Sequence, residues 1–412
     1  MNKQEGTITD YATDNANFDW EFYLSYYNDL LMTGQEQAYN HWISNGKNEG
    51  RYPNYDLYIA NKTTTKNIIP RNQKILLMCR HGTVVRFFSQ MFKTFENIEF
   101  YFPLIFTIDD AGASNQNETI NPLRTSHDEF LDRFDLHKDL EINHKLSTII
   151  KHINKNYDIV IIPPFFSVNT MVRLLNEIHG RFFYYYWGNL GNIPLSQYYP
   201  YILNFNQSNL SIVFPVKQML SYENIPKSYV AGLSFDPDIL AFENTAKMST
   251  DNHKKGMIVL SRLHRVYLPY ETLIKSYDAD LHCYGYNISA VVDSFKYKHE
   301  FNISHDKYYE KFARHDYFVY LWRELDMVQY SPLEAIFIGI PVFYFSNTLL
   351  AKLIDRQNWF ECDTIDEMGH KINNLSNLPY DVLQASISIQ KRALIYYSDS
   401  EVSKQWKKLL QL

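Results

Sequence analysis

Short apolar runs recur along this chain, each set between turn-forming residues and a stretch with helical spacing. The run from Lys74 to Cys79 reads as a buried strand, followed by a turn at Gly82 and a helix through Phe92. Further strands are expected at Glu99–Phe106, Asp158–Pro163 and Arg181–Tyr186, then at Ile212–Phe214 and Lys227–Ala231. A second series opens at Gly256–Arg262 and runs through a helix to Tyr277. It continues with strands at Asp280–Gly285, Tyr317–Tyr320 and Val342–Phe345. Strands alternating with helices predict an α/β fold with mainly parallel sheets. Polar stretches at 60–73 and 234–256 read as links.

Both ends of the chain follow helical spacing. Phe22, Tyr23, Tyr26, Tyr27 and Leu30 share one face, as do Ala38, Tyr39 and Trp42 before a stop at Gly46. Two or three short helices therefore form a unit of roughly 40 residues, small enough to need docking on something larger. Residues 1–17 are polar and expected to be disordered. Leu383–Leu412 suits amphipathic helices, with Ile387, Leu394, Trp406 and Leu409 on the apolar side. The domains predicted are a helical module at 1–60, α/β domains at 74–235 and 256–380, and closing helices at 381–412 that pack back on the first α/β domain.

Composition removes some classes of function. A formal net charge of −6 argues against nucleic-acid binding by general electrostatics. The 33 Tyr and 27 Phe are read as compositional drift rather than a stacking surface. Cys79, Cys283 and Cys362 are far apart, form no zinc pattern and fit reduced thiols in a cytoplasmic protein. The first residues have no apolar core of a signal peptide, and no apolar run reaches the ~18 residues of a membrane span. Peripheral membrane contact stays open.

The chemistry concentrates between Phe312 and Phe345. Ser331-Pro332-Leu333-Glu334 has the makings of a helix start, because proline tolerates the first turn and a carboxylate there gains from the helix dipole. Gly339 ends that helix, and Pro341 introduces the next strand. The same four residues also suit a plain capped helix. Asp278-Ala279-Asp280 has metal-binding spacing but precedes a strand, so it reads as a turn and no metal is assigned. Asp109-Asp110 reads as a surface turn with general base as the alternative, and His41 as a packing residue.

Two α/β series in this order resemble the GT-B glycosyltransferases of the family 4-like group over about residues 74–400. Ser261-Arg262 resembles that family's diphosphate-binding strand end. Its usual lysine five residues on is replaced by Tyr267, with Arg265 as a second positive charge. Asp326 and Glu334 keep the spacing of the family's paired acids, with Asp for the first Glu, and Gly339-Ile340-Pro341-Val342 matches its Gly-x-Pro-Val close. The segment Phe18-Asp19, Tyr23-Leu24, His41-Trp42, Gly46 and Glu49-Gly50-Arg51 resembles a helical module fused to bacterial and giant-virus glycosyltransferases.

The resemblance implies two Rossmann-like domains facing a cleft. It also implies a UDP- or GDP-sugar donor, a glycan or other hydroxyl acceptor, and no tightly bound cofactor. Gly82, Ser261, Arg262, Arg265, Gly285, Ser331, Leu333 and Glu334 would hold the donor, with Glu334 on the ribose. His81 is the candidate general base, though it reads equally as a loop histidine, and Asp326 would lie near the donor sugar. Trp187-Gly188-Asn189 lacks the histidine that retaining relatives place there, so stereochemistry stays open. A non-catalytic subunit of the same fold and a polyol-phosphate transferase remain alternatives.

Overall fold

A computed structural model describes residues 18–62 except 28, 31 and 33, then 72–79, 82–102, 128–135, 139–162, 168–186, 195, 210–235 except 224, 226 and 227, 237–246, 254–260, 267–285, 299–301, 305–325 and 329–411. The expectation for residues 1–17 lies outside this set. Three helices come first: α1 (Trp20–Tyr26), α2 (Gln35–His41) and α3 (Tyr55–Lys62). The first α/β series is β1 (Gln73–Leu77), α4 (Gly82–Phe92), β2 (Ile98–Tyr101), α5 (Asn143–Asn156), β3 (Ile159–Ile162), α6 (Val168–Glu177), β4 (Arg181–Tyr185), β5 (Leu210–Phe214), α7 (Lys217–Glu223) and β6 (Ser228–Val230). The second is β7 (Lys255–Leu260), α8 (Tyr267–Tyr277), β8 (Asp280–Gly285), β9 (His299–Phe301), α9 (His305–Phe312), β10 (Tyr317–Val319), α10 (Tyr330–Ile338), β11 (Val342–Phe345), α11 (Leu349–Ile354), β12 (Glu361–Cys362) and α12 (Ile365–Asn373). Two helices close the chain, α13 (Tyr380–Gln390) and α14 (Asp399–Leu410).

The strands form two six-stranded sheets, ordered β2-β1-β3-β4-β5-β6 and β12-β11-β10-β7-β8-β9. The pairs β1–β2, β1–β3, β5–β6, β7–β8, β8–β9, β7–β10, β10–β11 and β11–β12 are parallel. Central strands are apolar on both faces: every residue of β3 and of β11 is buried. That is the expected burial for parallel strands covered by helices on each side.

Both sheets start their central strands with the same device. Asp158 accepts from Lys74 N–H (2.9 Å) while its own N–H donates to Lys74 O (3.0 Å). Asp316 does the same with Lys255, at 2.8 Å in both directions. The carboxylate satisfies an N–H at the start of each strand, that of the second residue of β1 and of the first residue of β7, and the backbone bond runs the other way. Beside the second clamp, a Cβ on Gly256 would sit 2.2 Å from the Tyr317 ring, so only glycine leaves room for that ring.

Two compact units divide the described residues, one made of Met1–Arg80, Phe95–Thr107 and Arg124–Phe182, the other of the rest. Within the first, the N-terminal helices dock on the segment 128–157. Asp19 caps α1 by accepting from Phe22 N–H (3.0 Å) and pairs with Lys151 (2.7 Å). Phe22 and Tyr26 stack on Phe130, and the Arg133 guanidinium lies 4.0 Å from the Tyr26 ring centre. Under them His152 Nε2–H donates to Asp128 Oδ2 (2.6 Å), while Nδ1 shares a hydrogen bond with the Tyr55 hydroxyl (2.7 Å). Burial alone would raise the Asp128 carboxyl, but hydrogen bonds from His152, the Leu131 N–H and Tyr157 outweigh it and hold it below the usual range. His41 bonds to the Tyr23 hydroxyl (3.0 Å), the packing role expected of it. One difference from the pattern is that α3 runs through Lys62, into the stretch read as a link.

In the second unit α14 is pinned through its indole. Trp406 Nε1–H donates to Gly232 O (2.7 Å), and Gln405 Oε1 accepts from Gly232 N–H (3.0 Å). The buried Trp406 ring packs among Phe88, Phe92, Phe183 and Tyr185.

Candidate functional site at the start of α10

The second sheet is parallel, so β7, β8 and β10 all end on one edge. Leu260 and Gly285 are register partners there, and the chain leaving β10 at Val319 enters α10 from the same side. Ligands of open α/β sheets sit at this carboxyl edge. The Asp-Ala-Asp triplet lies at the other edge. Asp278 takes φ 52°, a left-handed turn conformation, and Asp280 opens β8, which is the turn expected of it.

The start of α10 differs from the sequence expectation. Gln329 is extended (φ −73°, ψ 157°), its N–H donates to the Tyr320 hydroxyl (3.3 Å), and the helix begins at Tyr330. Pro332 is therefore the third helical residue, and Glu334 falls outside the first turn, which carries no acid. The dipole benefit assigned to Glu334 weakens accordingly, because it fades beyond the first turn. The early start has a tertiary cause. Tyr330 is held by its ring, 4.6 Å from that of Phe87, and by its hydroxyl, which donates to Leu233 O (3.3 Å).

Glu334 is 5% exposed, and its Oε1 accepts from the Tyr309 hydroxyl at 3.1 Å. Ser331 and Leu333 are also buried. At the far end Gly339 takes φ 98°, and both it and Ile340 donate N–H to Ala335 O. This left-handed cap is why a glycine stands there. Asn244 and Ala246 N–H donate to Phe337 O (3.3 Å) and Ile338 O (3.1 Å), satisfying the last carbonyls.

Of the other sequence candidates, Gly82 opens α4 and Gly285 closes β8. His81, Ser261, Arg262, Arg265 and Asp326 lie outside the described residues, as do Asp109-Asp110 and Trp187-Gly188-Asn189. Sequence reasoning missed Tyr309, Tyr330 and Phe87. Their only signal was aromatic spacing on a helix, which core packing produces as readily.

Other reactive side chains are quiet. All three cysteines are buried and outside any disulfide, and burial pushes the Cys283 and Cys362 thiols up to about 12, so those two stay protonated. A shallow groove lined by Trp359, Glu367, His370, Lys371 and Asn374 lies on α12, but Glu367 and Lys371 already pair with each other (2.6 Å). Among the described residues no cluster of three or more His, Cys, Asp or Glu could hold a metal ion, and no helix is long and apolar enough to cross a membrane.

No protein-family model matches the chain, and no curated protein sequence is similar to it. Solved structures are. HepE of Anabaena in complex with UDP aligns with TM-score 0.58 and 10% identity over 82% of this chain and 99% of its own. Sucrose-phosphate synthase from Thermosynechococcus elongatus aligns with TM-score 0.55 and 11% identity, over 82% and 98%. The chain spans only 59% of S. aureus TarM, at TM-score 0.47 and 16% identity. Identities this low establish a shared fold: two parallel α/β sheets of the GT-B type.

Proposed function

We propose that this GT-B chain is a glycosyltransferase of the family 4-like kind, moving a sugar from a nucleoside diphosphate sugar to a hydroxyl acceptor. The observation that carries the reading is Glu334, buried near the start of α10 at the carboxyl edge of the second sheet. The same fold in HepE was solved with UDP. In this reading 74–235 is the acceptor domain, 256–380 the donor domain, and 1–60 a module like those fused to other glycosyltransferases. The enzyme works in the cytoplasm on a glycan or other hydroxyl acceptor, without metal.

The chemistry breaks the anomeric C–O bond while the acceptor oxygen forms a new one, and the diphosphate leaves with the bonding electrons. Arg262 and Arg265 would stabilise that growing negative charge, with Ser261 beside them. Gly82 and Gly285 let the backbone come close to the donor, and Ser331 and Leu333 shape the helix start. Glu334 would accept from the two ribose hydroxyls, since a carboxylate offers acceptors and no donors. Asp326 would face the donor sugar, and His81 would take the acceptor proton if the reaction inverts.

The test is calorimetry with UDP, GDP and CMP. Glu334→Ala should weaken the preferred nucleotide about 10- to 100-fold, the loss of charge-assisted hydrogen bonds worth roughly 1.5–3 kcal/mol. Unchanged affinity would remove Glu334 from the site. A second reading, a sugar-nucleotide-binding subunit without turnover, is favoured by Tyr267 at the position of the family's lysine. Nucleotide binding with neither hydrolysis nor transfer would select it.

A further inference from the structure

We propose that the groove on α12 is a binding site for a neutral oligosaccharide, separate from the nucleotide-sugar site. Its volume is about 500 Å³, inside the roughly 300–1,000 Å³ of small-molecule sites. One wall is the half-buried Trp359 ring. Phe360 and Phe343 hold that ring at interplanar angles of 85° and 60°, so neither stacks along its plane. The other wall is α12 and its cap, where Glu367, His370, Lys371 and Asn374 are spaced for one helix face. Trp359 leads into β12 and Asn374 caps the far end of α12. Both therefore stand at the amino edge of the second sheet, opposite the carboxyl edge where α10 begins.

Charge and hydrogen-bonding capacity select the occupant. Glu367 and Lys371 pair at 2.6 Å, so the groove sets one anion against one cation and keeps no surplus for a phosphate or an acidic sugar. Both are held in place: Glu367 Oε2 accepts from Asp363 N–H (2.8 Å), and Lys371 Nζ donates to Glu361 O (2.7 Å). The His370 ring rests edge-on against Tyr277, with centroids 5.1 Å apart, and Asn374 Nδ2 donates to His370 O (2.8 Å). The Trp359 indole N–H, the His370 ring nitrogens and the Asn374 amide oxygen have no hydrogen-bond partner among the described residues. A pyranose has an apolar C–H face and a rim of hydroxyls that each donate and accept. The face suits a flat indole, and the rim suits this mixed set of donors and acceptors.

The test is calorimetry on the full chain with maltopentaose, cellopentaose and chitopentaose, and with trigalacturonic acid as the acidic control. Wild type should bind at least one of the neutral sugars. His370→Ala and Asn374→Ala change exposed side chains and should each weaken that binding about three- to tenfold, the loss of one hydrogen bond. Trp359→Ala should weaken it about tenfold or more, and Trp359→Phe, which keeps an aromatic face and its packing, should recover most of the loss. Glu334→Ala should bind the sugar as wild type does. Binding that survives all the groove substitutions, or that is lost in Glu334→Ala, would place the sugar elsewhere and overturn the proposal. Preference for trigalacturonic acid would refute the charge argument and the neutral ligand with it. Wild type that binds none of the three neutral sugars would overturn the site itself.

Discussion

His315 makes stability fall as the solution is acidified. The residue is 6% exposed, its Nδ1–H donates to Lys311 O (2.8 Å), and its Nε2 accepts from the Tyr284 hydroxyl (3.3 Å). Burial is the main reason its pKa is lowered to about 4, and the neighbouring His282 ring, 5.2 Å away, adds to the effect. Asp316 pulls the other way. In the unfolded chain an ordinary histidine titrates near 6.5. Between those two values the unfolded state carries a proton that the folded state lacks, so folding loses ground as pH falls. The penalty is absent well above the unfolded value, grows through the window, and stops growing below the folded value. From about pH 7.5 to about pH 5 it amounts to about 2 kcal/mol for this one group. The assay is urea unfolding followed by circular dichroism at several pH values, on wild type and His315→Gln. The variant will be less stable at neutral pH, since it loses the paired imidazole. Its stability should nevertheless fall less steeply between those two pH values. Identical slopes for the two proteins would refute the argument.

Two further outcomes are expected. Gly256→Ala forces a methyl into the Tyr317 ring and should cost about 3 kcal/mol or more, abolishing soluble expression or lowering the melting temperature sharply; a wild-type melt would disprove the close approach. Tyr55→Phe removes the hydroxyl that joins His152 (2.7 Å) and Asn156 (2.7 Å) beneath the N-terminal helices. It should lower unfolding free energy by roughly 1–3 kcal/mol, the cost of leaving buried polar atoms unpaired. Denaturant titration checks it, and an unchanged midpoint would show that the network adds nothing net.

The alternation of apolar runs with amphipathic stretches was enough to predict the α/β class, because parallel strands covered on both faces must be apolar throughout. Strands β8 and β11 were legible to the residue, and β7 and β10 to within a residue or two. Strands β9 and β12 were not. His299-Glu300-Phe301 and Glu361-Cys362 are short and partly polar, and they become strands because an open sheet edge lies beside them. The position of Glu334 in the chain, the glycine stop at Gly339 and the turn at Asp278 were local matters that residue type alone could announce. The start of α10 was not local. It moved to Tyr330 because an aromatic ring from α4 and a carbonyl at Leu233 hold that residue, and neither is near it in sequence. One partner of Glu334 was hidden for the same reason: Tyr309 looked like one more core aromatic until folding brought its hydroxyl to the carboxylate. Residue types determined which chemistry the chain can perform, and tertiary packing decided which oxygen meets which donor, since hydrogen bonds depend on distances that separate elements set together.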